Sequence, residues 1–167
     1  MKKALQNSEP FDELYTPEYA VHPILSYIPD NVKTIWCPCD TLESKIVQVL
    51  LFNDYDIIKS HIEDGKDFFN YEPDIPYDMI ITNPPYSVKD KIIERCYALG
   101  KPFALLLPLT ALEGKQRGKM FRQNGMGIVV LDKRVDYNGK GKVWYNTSWF
   151  IHSPNTDGKI FFEEIKD

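Results

Sequence analysis

Short apolar stretches alternate along the chain with longer segments in which apolar residues recur at helical spacing. The first pattern is typical of buried strands and the second of amphipathic helices. The sequence predicts strands at 33–37, 55–61, 77–82, 102–107, 127–131, 143–152 and 159–165. It predicts helices at 16–28, 42–52, 88–99 and 112–122.

Local signals support several of these boundaries. Thr16-Pro17-Glu18 combines a hydroxyl cap, a proline in the first turn and an acid near the positive end of a helix. Asp40-Thr41 is a similar cap for the second helix, and Gly100 is placed to end the third. The turn residues at 155–158 predict that the last two strands form a closing hairpin.

Repeated strand–helix units indicate an α/β protein with a largely parallel, doubly wound sheet. At 167 residues we expect one domain, spanning 1–167. Ligands of such sheets bind at the carboxyl ends of the strands. Three polar segments fall at predicted strand ends, namely 37–40, 60–64 and 83–86.

Composition is ordinary for a soluble globular protein, because 43% of the residues are apolar and 26% are charged. No apolar run approaches membrane-spanning length, and Met1-Lys2-Lys3 does not begin a signal peptide. Three cysteines predict reduced thiols and a cytoplasmic setting. Cys37 and Cys39 are too close for the usual zinc pairing, and the three histidines lack ligand spacing, so we expect no metal.

Charge is distributed unevenly, although the net charge is only −4. Residues 1–83 hold 6 Lys and Arg against 15 Asp and Glu, whereas residues 84–167 hold 14 against 9. A basic half is typical of proteins that contact phosphates, and a solvated helix and loop surface explains the pattern equally well. The basic residues include Lys115, Arg117, Lys119, Arg122, Lys133, Arg134, Lys140 and Lys142.

The segment 80–86 joins a buried strand to a short chemical motif. The strand stops at Pro84-Pro85, since proline cannot donate a ladder hydrogen bond, with Asn83 before this stop and Tyr86 after it. The Asn83 carboxamide oxygen and the Pro84 carbonyl can each accept one hydrogen of a planar amino group, which directs the nitrogen lone pair toward an electrophile. Tyr86 can stack on the ring that carries the amine. The alternative is a Pro-Pro turn with an Asn cap.

The motif Asn83-Pro84-Pro85-Tyr86 after a hydrophobic strand resembles the catalytic motif of S-adenosylmethionine-dependent amino-methyltransferases. Together with six other segments in order, it is similar to the small, single-domain adenine amino-methyltransferase-like proteins of bacteriophages and prophages. The resemblance covers nearly the whole chain. The six segments are Tyr15-Thr16-Pro17, 35–40, 60–62, 65–69, 101–108 and 132–134.

That resemblance implies a Rossmann-like class I methyltransferase fold with seven strands, the last inserted antiparallel. It also implies S-adenosylmethionine as cofactor, with the 15–17 segment closing over its methionine part and the 37–40 turn lying beneath it. The turn contains no glycine, so Asp40 or Glu43 is expected to bind the methionine amino group, and His61 or Asp64 the ribose. The cofactor residues so implied are Tyr15, Thr16, Pro17, Cys37, Pro38, Asp40, Glu43, His61, Asp67 and Phe68.

By the same resemblance Asn83, Pro84, Pro85 and Tyr86 are catalytic. Trp149 and Phe150 are expected either to hold a flipped base or to belong to the sheet core. Contacts to nucleic acid are expected from Lys115, Arg117, Lys119, Arg134, Trp149 and Phe150.

The activity implied is methylation of an exocyclic amine, with adenine N6 of DNA favoured over RNA and with a protein amine left open. The location implied is the cytoplasm of a bacterial host, from a phage or prophage. The alternative function is a catalytically inactive methyltransferase fold that binds nucleic acid or a protein partner. The glycine-free turn favours this alternative, whereas the complete Asn-Pro-Pro-Tyr motif favours the enzyme.

Overall fold

A computed structural model of the chain describes residues 15–139, 141 and 146–166. Its strands are β1 Thr34–Pro38, β2 Asp56–Ser60, β3 Met79–Thr82, β4 Phe103–Pro108, β5 Gly127–Leu131, β6 Thr147–His152 and β7 Ile160–Glu163. Its α-helices are α1 Lys45–Phe52, α2 Lys89–Leu99 and α3 Lys115–Asn124. Short 3-10 helices lie at Glu18–Ala20, His22–Tyr27, Ile62–Asp64, Tyr86–Val88 and Leu109–Leu112.

All seven strands belong to one sheet, in the order β2-β1-β3-β4-β6-β5-β7. Every neighbouring pair is parallel except those of β6, which runs antiparallel between β4 and β5. The predicted α/β class and the mostly parallel seven-stranded sheet are therefore confirmed. The carboxyl ends of β1 to β5 share one edge of this sheet, which we call the carboxyl edge.

Apolar side chains cover both faces of the sheet. On one face the N-terminal 3-10 helices and α1 pack against β1, β3 and β6, with Ile24, Leu50 and Trp149 fully buried. On the other face α2 and α3 pack over Trp36, Phe103 and their neighbours. Burial on both faces explains why the central strands are almost continuously apolar.

The two C-terminal strands run antiparallel to each other, as predicted, but they do not form a hydrogen-bonded hairpin. β5 lies between them, paired antiparallel with β6 and parallel with β7. Trp149 and Phe150 occupy adjacent positions of β6, and both are fully buried. Because neighbouring side chains point to opposite faces, β6 is buried on both faces and lies in the interior of the sheet. β7 alternates between exposed and half-buried residues, which suits an edge strand. A Cβ at Gly127 would lie 2.3 Å from the Thr156 carbonyl oxygen, so the 153–158 turn packs directly on β5.

The predicted helix 16–28 was wrong in type, because this segment forms two 3-10 helices. Pro23 lacks the N–H that an α-helical bond at this point requires, and it disfavours the α conformation of the residue before it. The helix predicted from 42 begins later, at Lys45, with Ser44 as its N-cap residue. Residues 39–43 consequently form an open turn above β1 rather than a helical turn.

Candidate functional site

Asn83 follows β3 directly and stands at the middle of the carboxyl edge. Its side-chain amide nitrogen donates a hydrogen bond to Thr16 Oγ1 over 3.1 Å. This bond fixes the plane of the carboxamide, so its oxygen has a defined direction. The structure therefore brings Thr16 of the N-terminal segment and Asn83 of the Asn-Pro-Pro-Tyr motif together.

Tyr86 is held by hydroxyl groups from a different part of the chain. Its Oη lies 3.1 Å from Tyr137 Oη, and Tyr137 donates to Thr147 Oγ1 over 3.0 Å. Burial raises the pKa of Tyr137 above its ordinary value, so its hydroxyl keeps its proton at neutral pH. Only 8% of Tyr86 is exposed. A base can stack on its ring only if neighbouring residues move.

The turn after β1 achieves without glycine a backbone shape that glycine usually provides. Cys39 has a φ of 67°, in the left-handed region. Burial raises the pKa of the Cys37 and Cys39 thiols, so both stay protonated and neither is activated as a nucleophile. The sequence of the turn predicted neither feature.

Asp40 is buried and ties this turn to β3. Its carboxylate accepts hydrogen bonds from Ser44 Oγ over 2.6 Å and from Thr82 Oγ1 over 2.7 Å, and Thr82 Oγ1 also lies against the Pro38 carbonyl. Burial raises the pKa of Asp40 to about 6, although the hydrogen bonds from Ser44 and Thr82 oppose the rise. Asp40 is thus part of the scaffold between β1 and β3. Glu43, by contrast, is exposed, and a hydrogen bond from Thr41 lowers its pKa.

At the end of β2 the polar groups are used mostly within the chain. Ser60 Oγ accepts from the Trp36 indole over 2.9 Å, and the Ser60 carbonyl accepts from Asp40 N over 3.3 Å. His61 Nδ1 accepts from Glu63 N and so caps the following 3-10 helix. Asp64 pairs with Lys59 at 2.7 Å. His61 lies within the 60–62 turn expected to face a ribose, and Asp64 lies just beyond it.

Asp67 and Phe68 start the turn that follows. Asp67 Oδ1 accepts from Phe69 N over 3.0 Å, and Asp67 Oδ2 accepts from the Asn70 amide over 3.2 Å. Phe68 is 2% exposed and packs on Trp36, with ring centroids 5.2 Å apart. Asp67 therefore caps a turn in addition to any ligand it binds, and Phe68 is a core residue that supports this turn.

Trp149 and Phe150 lie on opposite faces of the sheet. The Trp149 indole donates to the Ala20 carbonyl over 2.8 Å, and Phe150 packs toward Phe121 of α3. Both residues are fully buried. In this structure they form core, and neither ring has surface to offer to a base.

Arg117 braces two helices rather than facing solvent. It pairs with Asp90 of α2 and donates to the carbonyls of Ala111 and Glu113, and its side chain is 14% exposed. Lys115, Lys119 and Arg134 are exposed, as is Arg122. Of the basic residues predicted to contact phosphates, Lys140 and Lys142 lie outside the described residues.

Several residues of this edge escaped sequence analysis. Thr82 could have been noticed as a polar residue that ends an apolar strand just before the motif. Tyr137 and Thr147 gave no signal because they lie far from Tyr86 in the chain, and Ser44 was placed inside the helix predicted over 42–52 rather than at its start. In the described part of the chain no helix is long and apolar enough to cross a membrane.

The fold is similar to that of solved methyltransferase structures. A Listeria monocytogenes protein provisionally described as a class I S-adenosylmethionine-dependent methyltransferase matches with a TM-score of 0.56 at 13% identity, over 99% of this chain and 70% of that one. A Thermoplasma acidophilum protein provisionally described as a methyltransferase matches with a TM-score of 0.31 at 14% identity, over 79% and 71% of the respective chains. No family model and no curated protein sequence matches the chain. The first similarity identifies the Rossmann-like class I methyltransferase fold; the second is too weak to add to it.

Proposed function

We propose that this protein is an S-adenosylmethionine-dependent methyltransferase that acts on an exocyclic amine, with adenine N6 of DNA as its substrate. The observation that carries the proposal is the position of Asn83-Pro84-Pro85-Tyr86 at the carboxyl end of β3, in a class I methyltransferase fold. Ligands of open parallel sheets bind at this edge. The motif adjoins the β1 turn on one side and the Tyr137 hydroxyl on the other.

At the carboxyl edge, Glu43 and Asp67 are better placed than Asp40 to bind the proposed cofactor. The left-handed backbone at Cys39 opens the turn above β1, and Glu43 presents an exposed carboxylate for an ammonium group. Asp40 is already engaged by Ser44 and Thr82, so Glu43 is the better partner of the two. Asp67 can still accept a hydrogen bond from the amino group of the cofactor's adenine ring. Each of its oxygens accepts only one hydrogen bond within the turn, so lone pairs remain.

When bound, S-adenosylmethionine supplies an electrophilic methyl group. The contribution of the chain is to orient the attacking nitrogen. Asn83 Oδ1 and the Pro84 carbonyl each accept one hydrogen of the substrate amine, which takes the nitrogen lone pair out of conjugation with the ring. The adjacent prolines restrict the backbone of both acceptors before substrate binds. No strong base is needed, since a methylated ammonium on an aromatic ring releases its proton to water.

Two measurements test the proposal directly. Calorimetric titration with S-adenosylmethionine is expected to show binding in the micromolar range, and labelled methyl transfer to adenine-containing oligonucleotides is expected to give N6-methyladenine. Cofactor binding without transfer to DNA, but with transfer to RNA or to a protein amine, would redirect the substrate assignment. An absence of binding at millimolar cofactor would instead favour the inactive binding module, for which the glycine-free turn is the supporting observation.

The adenine end of the cofactor pocket gives a quantitative prediction. Asp67→Ala is expected to weaken S-adenosylmethionine binding by about 1–3 kcal/mol, because the amino group of the cofactor's own adenine ring loses its acceptor. Asn70→Ala is the matched control, since it removes the Asn70–Asp67 bond of the same turn and leaves the carboxylate in place. Calorimetry on both variants separates the two roles. Equal losses in both would show that Asp67 acts by shaping the turn.

The basic surface of α3 gives a second prediction, on the proposed nucleic-acid partner. Lys115 and Lys119 are exposed, in the half of α3 that follows the end of β4, whereas Arg117 is occupied within the protein. The double variant Lys115→Ala/Lys119→Ala is expected to flatten the slope of log affinity against log salt by nearly two units, and to weaken all DNA sequences alike. Cofactor affinity should stay constant.

A matched pair of lysines provides the control for that experiment. Lys101 and Lys159 are exposed and lie at the starts of β4 and β7, on the edge of the sheet opposite the motif. Lys101→Ala/Lys159→Ala should therefore leave the salt slope as it is in the parent. If both double variants behave alike, α3 is a solvated surface.

A further inference from the structure

A cavity of about 120 Å³ opens at the carboxyl edge beyond the Asn-Pro-Pro-Tyr motif. It lies where β4 and β5 end and where β6, the antiparallel strand between them, begins. None of the methyl-transfer chemistry proposed above uses it. Its lining residues are Leu109, Leu131, Asp132, Lys133, Arg134, Asn146, Thr147 and Ser148.

The wall of this cavity includes a buried serine, Ser148. Ser148 is fully buried, and among the described residues nothing forms a hydrogen bond with its Oγ. A buried hydroxyl left without a hydrogen bond costs free energy in the folded state, so such groups in native proteins call for an explanation. A ligand that accepts a hydrogen bond from the Ser148 hydroxyl would explain why this group is buried.

Charge at the mouth of the cavity indicates the sign of that ligand. Lys133 and Arg134 are both exposed there and outnumber the one carboxylate of the lining, Asp132, which accepts a hydrogen bond from Ile165 N over 2.9 Å. The balance of the lining is therefore positive. Arginine and hydroxyl donors together are the groups that commonly bind phosphate oxygens.

The cavity is connected to the motif through hydrogen bonds. Thr147, which lines it, accepts from Tyr137, and the Tyr137 hydroxyl lies 3.1 Å from that of Tyr86. A ligand in the cavity thus lies two hydrogen bonds from the ring proposed to contact the substrate base. This connection places the cavity beside the site proposed for the substrate base.

We propose that this cavity binds a phosphate group of the substrate nucleotide, held by Arg134 and the Ser148 hydroxyl. The assignment of the phosphate to a nucleotide rests on the proposed function, whereas the anion site itself does not. Phosphate recognition here favours a nucleotide or nucleic acid over a protein amine as substrate.

Inorganic phosphate is the first probe. Two-dimensional proton–nitrogen spectra of the parent protein, titrated with phosphate at constant ionic strength, are expected to show saturable shifts of the Arg134, Thr147 and Ser148 amides. Chloride at equal ionic strength should not produce them. Shifts confined to other parts of the chain, or none at millimolar phosphate, would overturn the site.

Two variants separate ligand binding from folding. Ser148→Ala is expected to weaken phosphate binding about five- to tenfold and to leave thermal stability unchanged or higher, because it removes an unsatisfied buried hydroxyl. Arg134→Ala should weaken phosphate about tenfold or more, while Lys159→Ala, with the same change in charge at the opposite edge, should not. A destabilised Ser148→Ala protein with normal phosphate affinity would mean that the hydroxyl serves the fold.

A comparison of nucleotide with nucleoside joins the cavity to the proposed substrate. The parent is expected to bind 2′-deoxyadenosine 5′-monophosphate about tenfold more tightly than 2′-deoxyadenosine, and Arg134→Ala should abolish the difference. Equal affinities in the parent would overturn the proposal. Phosphate binding at the cavity together with a failure to bind S-adenosylmethionine would leave the anion site standing and remove the methyltransferase function. Cofactor binding without phosphate binding would remove the anion site and leave the proposed methyltransferase function standing.

Discussion

Asn83→Ala is expected to lower the rate of methyl transfer by about a hundredfold or more and to leave the affinity for S-adenosylmethionine nearly unchanged. In the proposed mechanism the carboxamide oxygen accepts a hydrogen of the substrate amine and so takes the nitrogen lone pair out of conjugation with the ring, and alanine supplies no replacement acceptor. Because the side chain is anchored to Thr16 over 3.1 Å, its oxygen is oriented before the substrate arrives. Single-turnover rates with labelled cofactor measure the effect on the chemical step.

Thr16→Val separates the anchor from the acceptor. It removes the hydroxyl that receives the Asn83 amide proton and keeps a side chain of similar shape. We expect a loss smaller than that of Asn83→Ala, since the acceptor oxygen remains although its orientation is less restricted. A fully active Asn83→Ala enzyme would disprove the role of Asn83 as the amine acceptor, whatever the result at Thr16.

Asp40 is expected to make the stability of the fold depend on pH. Its pKa of about 6 in the folded state lies above its ordinary value of 3.8, so the folded state favours the protonated form. Stability from this group is therefore fully present below about pH 4 and is lost as the pH rises through about 6. The loss amounts to about 3 kcal/mol at neutral pH.

The hydrogen bonds explain why the neutral form suits this position. The single proton of Thr82 Oγ1 serves two acceptors, the Pro38 carbonyl and Asp40 Oδ2. A protonated Asp40 can donate to Thr82 and so free that proton for Pro38, and the amide of Asn can do the same. Asp40→Asn is therefore expected to fold normally and to lose the pH dependence between about 4 and 7.

Denaturant titrations of the parent and Asp40→Asn across this pH range test the expectation, with the difference between the two proteins isolating the one carboxyl group. Asp74→Asn, at an exposed carboxylate, controls for the change in charge. If the difference between parent and Asp40→Asn is the same at pH 4 and pH 7, Asp40 is ionised in the fold and its hydrogen bonds compensate its burial.

The positions of the strand ends could be predicted from sequence, because they depend on local information. Apolar runs that stop at Pro38, Ser60 and Pro84-Pro85 mark the carboxyl ends of β1, β2 and β3, and parallel topology brings such ends to one edge. The motif was found for the same reason, since its chemistry is contiguous in the chain. Boundaries moved by a few residues where capping differed, as at Ser44.

What could not be predicted depends on contacts between distant residues. The Tyr86–Tyr137 pair joins positions 51 apart in the chain, and no pattern near either tyrosine indicates the other. Arg117 and Lys119 looked equivalent as charges, yet only the structure shows that Arg117 reaches Asp90 and the end of the preceding 3-10 helix. Sequence identifies a residue's chemistry, but the packing around it determines whether that chemistry is available to a ligand.

The place of β6 between β4 and β5 also dictates an order of assembly. β4 and β5 follow each other in the chain, with α3 between them, but they share no hydrogen-bonded ladder. Until residues 147–152 arrive from further along the chain, β4 has one unpaired side and β5, whose ladders are to β6 and β7, has two. During synthesis both strands leave the ribosome before β6, so these unpaired strand edges coexist for a time. β6 must then insert between two strands rather than add to the outside of the sheet. Such non-local closure is intrinsically slow, and it makes the nascent chain most prone to misassociation just before the sheet is complete.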